Sequence, residues 1–203
     1  MVKQKTSWGV SCPPDIRALF GTLNAPIDIM VSSKGFLRAD NDRIFMSDHD
    51  MPDSHCRCFY EHTLAPLENH RRILLRVYKT KKGLRTIGLR SVPAPRENSQ
   101  VFLESDCDEN YAQVAKESNR YSCRLTPKPV RLGLVWKTAD YLRFREKGAD
   151  REFLDFFRTY SALCGGYSVC SFMSGPLSEE PSINAFIEFH DRVTKAHEAL
   201  PLA

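Results

Sequence analysis

Apolar and polar positions alternate with period two through much of the first half of the chain. Ile27, Ile29 and Val31 take every second position. Lys34-Gly35 and Asn41-Asp42 interrupt the pattern as turns, so the segment 27–47 predicts strands joined by tight reversals. The alternation is clearest from 71 to 92. There Ile73, Leu75 and Val77 alternate with Arg72, Leu74, Arg76 and Tyr78. Lys81-Lys82-Gly83 supplies a turn, and Leu84 to Val92 forms the return strand of a β-hairpin. "CRCFYEHTL" (56–64) reads as a further strand. Pro93 and Pro95 then stop the ladder, because proline has no N–H to give it.

The period changes in the second half. "NYAQVAKES" predicts a helix and "PVRLGLVWKT" a buried strand. The run 139–166 predicts two helices parted near Gly148, with Asp150 as N-cap of the second and Phe153, Phe157 and Tyr160 on one face. "YSVCSFM" reads as a short strand. Ile183, Phe186, Ile187 and Val193 give a final helix over about 182–200 its apolar stripe. Strands before helices point to an α+β fold. A mainly antiparallel sheet from the N-terminal half would be covered by helices from the C-terminal half. With 203 residues, a single domain is expected, β-rich over 1–105 and helix-rich over 106–203. The adjacent Phe156 and Phe157 widen one apolar arc enough to suit a homo-oligomer contact.

Charge changes the picture more than composition does. Hydrophobic residues make up 42% of the chain, ordinary for a globular protein, and the formal net charge is only +4. Yet 69–96 contains no acid and nine cations, so the remainder is net negative. If the hairpin shows one face to solvent, Arg71, Arg72, Arg76, Tyr78, Lys79, Lys81, Lys82, Arg85 and Arg90 form an anion-binding surface. Arginine grips phosphate through paired hydrogen bonds and Tyr78 offers a ring for a base.

A second cluster precedes it. "MSDHDMPDSHCRCFYEH" (46–62) gathers three histidines, two cysteines and four acids. On a strand, Cys56 and Cys58 would share a face, and with His62 they supply three candidate zinc ligands. Asp40, Asp42, Asp48, Asp50 and Asp53 could hold a hard cation, but their spacing is not that of a calcium loop, and such residues also build turns. Cys164 and Cys170, with His190 and His197, allow a Cys–His pair in chain order. No phosphate-binding loop, dinucleotide fingerprint or nucleophile elbow is present.

Seven cysteines without regular spacing, no N-glycosylation sequon and no apolar leader predict a reducing, intracellular setting, cytoplasmic or nuclear. No run is apolar enough to span a membrane. The expectation is a non-enzymatic protein that binds a polyanion, RNA or DNA, through the basic hairpin at 69–96. Small basic accessory or viral proteins share this composition. One alternative is a membrane-surface or matrix-like viral assembly protein facing anionic lipid. The other is a metal-dependent enzyme using the 48–62 cluster.

Overall fold

The structure is a computed structural model that describes residues 9–21, 23, 27–71 and 73–203, without the side chain of Arg71. Short strand β1 (Gly9–Ser11) leads through α1 (Pro14–Ala18) to β2 (Asp28–Ser32), β3 (Leu37–Asn41) and β4 (Ile44–Asp50). A continuous helical run follows: a 3-10 turn at Asp53–His55, α2 (Cys56–Phe59), a π turn at Tyr60–Leu64 and α3 (Ala65–Arg71). The hairpin is β5 (Leu75–Thr80) and β6 (Gly83–Ser91). Then come α4 (Gln100–Glu104), α5 (Glu109–Ser118), β7 (Tyr121–Arg124), α6 (Thr138–Lys147), α7 (Arg151–Cys164), β8 (Cys170–Ser174) and α8 (Pro181–Thr194).

The α+β expectation holds, with the strands divided between two antiparallel sheets. One runs β1-β2-β3-β7 and the other β4-β6-β5-β8. The chain crosses between them at the Asn41 turn, where the Asn41 side chain accepts the Arg43 N–H at 2.9 Å. The helix-rich half completes each sheet with one strand, β7 or β8. A shared core joins the layers, with Val31 and Leu37 from the first sheet, Met46, Val77 and Ile87 from the second, and Phe157 and Phe186 from α7 and α8. The N-cap expected at Asp150 is present: its carboxylate accepts the Phe153 N–H at 3.0 Å. Among the described residues no helix is long and apolar enough to cross a membrane.

Two expected strands are not strands. The segment 56–64 is helical because Cys56, Tyr60, Leu64 and Leu67 recur at three- and four-residue intervals, and that stripe is what the fold covers. The ladder widens to a π register just before Pro66, whose ring has no N–H for the carbonyl of His62. The "PVRLGLVWKT" segment forms one 3-10 turn, Pro129–Leu132, closed by Gly133 at φ 74°.

The hairpin is where expected, but its environment is not. β5 and β6 are the two central strands of their sheet, covered on both faces. Alternation had assigned one face to solvent. Instead Arg76, Tyr78 and Arg85 point into the molecule.

Candidate anion-binding cleft

A cationic cleft forms where the segment after β7 crosses the tip of the hairpin. Pro127 and Pro129 lack N–H groups and fix φ, so Lys128 between them is held extended at φ −66°, ψ 133°. The Tyr160 hydroxyl of α7 bridges Thr126 Oγ1, at 2.6 Å, and the Pro127 carbonyl. Thr126 Oγ1 in turn accepts the Leu37 N–H at 2.8 Å. On the opposite side Gly83, with φ +148°, lets the hairpin tip approach β4. A Cβ there would sit 2.0 Å from the His49 carbonyl oxygen. Between these anchored walls lies a cleft of about 250 Å³ lined by Arg124, Lys128, Arg131, Lys82, Arg85 and Phe36, among others.

The cations of this cleft are unequally partnered. Arg85 donates to Asp48 Oδ1 at 2.9 Å and to the Arg124 carbonyl at 2.7 Å. Lys82 sits 3.8 Å from Asp50. Arg124, Lys128 and Arg131 make no ion pair among the described residues. The Nε of Arg124 and Nη1 of Arg131 are buried without a hydrogen-bond partner. The Arg124 guanidinium lies 5.9 Å from the Phe36 ring. Burial, then the charges of Arg85 and Arg131, push Arg124 down to about 10. Lys128 is lowered too, first by burial and then by Arg124, Arg131, Lys82 and Lys34. Buried donors without acceptors cost free energy, and so do like charges held together. A multivalent oxyanion would relieve both.

The residues chosen from sequence fall into three groups. Arg76, Tyr78 and Arg85 are buried and engaged within the fold, which corrects the expected phosphate-tracking face. Lys79, Lys81, Lys82 and Arg90 reach solvent, with Lys79 2.7 Å from Asp53. Arg72 and the Arg71 side chain lie outside the described residues. Of the expected surface, Lys82 and Arg85 line the cleft. Arg124, Lys128 and Arg131 are not in the expected surface: Arg131 falls in the segment 129–138 expected as a buried strand, and Arg124 and Lys128 precede it in a stretch with no strong period. A signal existed: 118–139 is a second acid-free run, with five cations.

Arg76 belongs to a different arrangement. Its Nη2 donates to Asp191 Oδ2 at 2.8 Å and its Nε to the Tyr78 hydroxyl at 2.9 Å, while Tyr78 donates to Asp191 Oδ1 at 2.7 Å. His190 Nδ1 is 3.0 Å from Asp191 Oδ1, and His197 Nε2 is 3.0 Å from Oδ2. Burial opposes ionisation of Asp191, but the bonds from His190, Tyr78 and Arg76 outweigh it and hold the carboxyl below the usual range. Cys170 Sγ sits 4.0 Å from His190 Nε2, so the chain does bring together a cysteine, a histidine and an aspartate. Cys170 and His190 are both fully buried, so no substrate reaches the thiol.

The His/Cys/Asp segment borders a second cleft of about 560 Å³, which meets the cationic one at Asp50 and Asp108. His55, Cys58, Phe59 and His62 form one wall. Cys56 points inward and Cys58 outward, since residues two apart on a helix do not share a face. The same-face argument for a Cys56, Cys58 and His62 zinc set therefore fails, and no group of three or more His, Cys, Asp or Glu side chains among the described residues is placed to hold a metal ion. His49 is structural: Nδ1 donates to the Asp106 carbonyl at 3.2 Å, leaving Nε2 to accept from Ser47 Oγ at 2.7 Å. Burial lowers its pKa. Comparison with known proteins places none beside this chain: no family model, curated protein or solved structure matches it.

Proposed function

We propose that the protein is a binding module for a phosphate-bearing polyanion, RNA or DNA, and that the phosphate sits in the cleft of Arg124, Lys128 and Arg131 rather than on the face of the hairpin. The observation that carries this reading is that two of the buried guanidinium nitrogens without acceptors, those of Arg124 and Arg131, belong to one cleft whose cations outnumber its carboxylates. Arginine presents several donors in a planar fork that suits phosphate oxygens. Lys82 and the exposed Lys81 extend the positive field from the hairpin tip. The recess favours a nucleic acid over a bilayer: a flexible strand can lower one phosphate into the cleft, whereas a flat lipid surface meets only its rim.

The test is fluorescence anisotropy with a labelled oligonucleotide over a salt series. Replacing Lys128 and Arg131 with Ala should weaken binding by about tenfold per lost contact and flatten the salt dependence by about one unit for each phosphate interaction removed. Arg90→Ala, exposed and outside the cleft, should change affinity less than about twofold. An equal loss in both variants would return the binding surface to the outer hairpin; no loss in either would end the polyanion reading.

A further inference from the structure

The two clefts that meet at Asp50 and Asp108 carry opposite charge, and this constrains what can span them. The cationic side offers Arg124, Lys128 and Arg131. The larger side is edged by Asp50, Asp106, Asp108 and Glu109, with the Phe59 ring, Met51 and the imidazoles of His55 and His62 as its less polar surfaces. The larger side is lined by four carboxylates and by no Lys or Arg, so it disfavours a second phosphate, whereas in the cationic cleft five Lys and Arg side chains outnumber the carboxylates of Asp48, Asp50 and Asp108. We infer that the bound unit is a ribonucleotide: its phosphate sits in the cationic cleft, its ribose hydroxyls cross the ridge at Asp50 and Asp108, and its base lies in the His55–Phe59–His62 cleft. This rests on the polyanion reading and narrows it. Carboxylates accept hydrogen bonds from sugar hydroxyls, and an acidic residue is a recurrent partner of the ribose 2′-OH. One oxygen of Asp108 already accepts the Tyr111 N–H at 2.9 Å, which fixes its orientation as the N-cap of α5. The cleft of about 560 Å³ falls in the size range of small-ligand sites. Base stacking on a ring or imidazole supplies the remaining affinity.

A free nucleotide and the 5′-phosphorylated end of an RNA offer the same chemistry, and calorimetry on the full chain separates them. The probes are inorganic phosphate, ribose 5-phosphate, AMP, 2′-deoxy-AMP, and one oligoribonucleotide with a 5′-phosphate or a 5′-hydroxyl. AMP should bind about tenfold more tightly than ribose 5-phosphate, in line with one stacked base. It should also bind more tightly than 2′-deoxy-AMP. His55→Ala/His62→Ala changes only exposed side chains and should bring the ratio of AMP to ribose 5-phosphate affinity towards one; Phe59→Ala should do the same. A 5′-phosphorylated oligonucleotide that outbinds both AMP and its 5′-hydroxyl form supports an RNA terminus as the source. Tighter AMP binding supports a free nucleotide. Equal affinity for AMP and ribose 5-phosphate, with oligonucleotide binding retained, overturns this inference and leaves the polyanion reading standing. Failure of phosphate, nucleotide and oligonucleotide alike overturns both.

Discussion

The buried network around Asp191 and the cleft around Arg124 both place arginine inside the molecule, and they treat it in opposite ways. At Asp191, Arg76 has a carboxylate at 2.8 Å, a tyrosine hydroxyl at 2.9 Å and two backbone carbonyls, those of Gly175 and Pro176, at 3.4 and 3.3 Å. Its charge is stabilised within the fold, and burial is tolerable because the donors are met. In the cleft, Arg124 and Arg131 hold buried nitrogens with no acceptor, beside further positive charge. Satisfied charge reads as architecture. Unsatisfied, convergent charge reads as a place kept for an anion.

The difference can be broken at its larger side first. Asp191→Asn keeps the shape but leaves Arg76 and the histidines without their carboxylate. The expected cost is about 3–5 kcal/mol, the range for stripping one partner from a buried ion pair, and on the order of 10 °C in Tm by thermal unfolding. A shift of under two degrees would show that the network is not structural.

Asp40 is an intermediate case and sharpens the contrast. It is 2.8 Å from Arg38, yet its Oδ1 is buried without a partner. Burial raises it to about 6 despite Arg38. A carboxyl raised in the fold keeps its proton while the unfolded chain has lost its own. Stability should therefore fall as pH rises from about 4 to about 6, by about 2–3 kcal/mol at roughly 1.4 kcal/mol per pH unit. Urea unfolding across that range should show the slope in the native protein and lose it in Asp40→Asn. The same slope in both would assign it to another group.

The smallest effect on stability is expected in the cleft itself. Lys128→Gln/Arg131→Gln removes mutual repulsion, so the urea midpoint should stay the same or rise, with a change below about 1 kcal/mol. Destabilisation approaching that of Asp191→Asn would erase the distinction between the two regions.

The element order was largely legible in the sequence because period two and period 3.6 differ strongly where the runs are long. The hairpin turn at Lys81-Lys82-Gly83 and the cap at Asp150 were local signals and held. What sequence could not supply was which strands lie in the middle of a sheet. Arg76 and Tyr78 alternate as a solvent face would, but β6 and β8 flank their strand and α8 covers it, so the polar positions had to find partners 99–121 residues away. Read as a strand, 56–64 would put Cys56 and Cys58 on one face. The stripe Cys56, Tyr60, Leu64 and Leu67 carried the helical answer. The cleft assembles Phe36 just before β3 with residues from β4, the hairpin, the start of α5 and the 124–131 segment, and only the acid-free run at 118–139 announced part of it.

The direct test is a two-dimensional NMR spectrum of the arginine Nε–Hε groups, recorded while inorganic phosphate and then a short oligoribonucleotide are added. The Arg124 and Arg131 resonances should shift and saturate, and that of Arg76, bonded to Asp191 outside the cleft, should hold still. Shifts confined to exposed Arg90, or none at Arg124 and Arg131 at saturating oligonucleotide, would contradict the assignment of the cleft as the anion site.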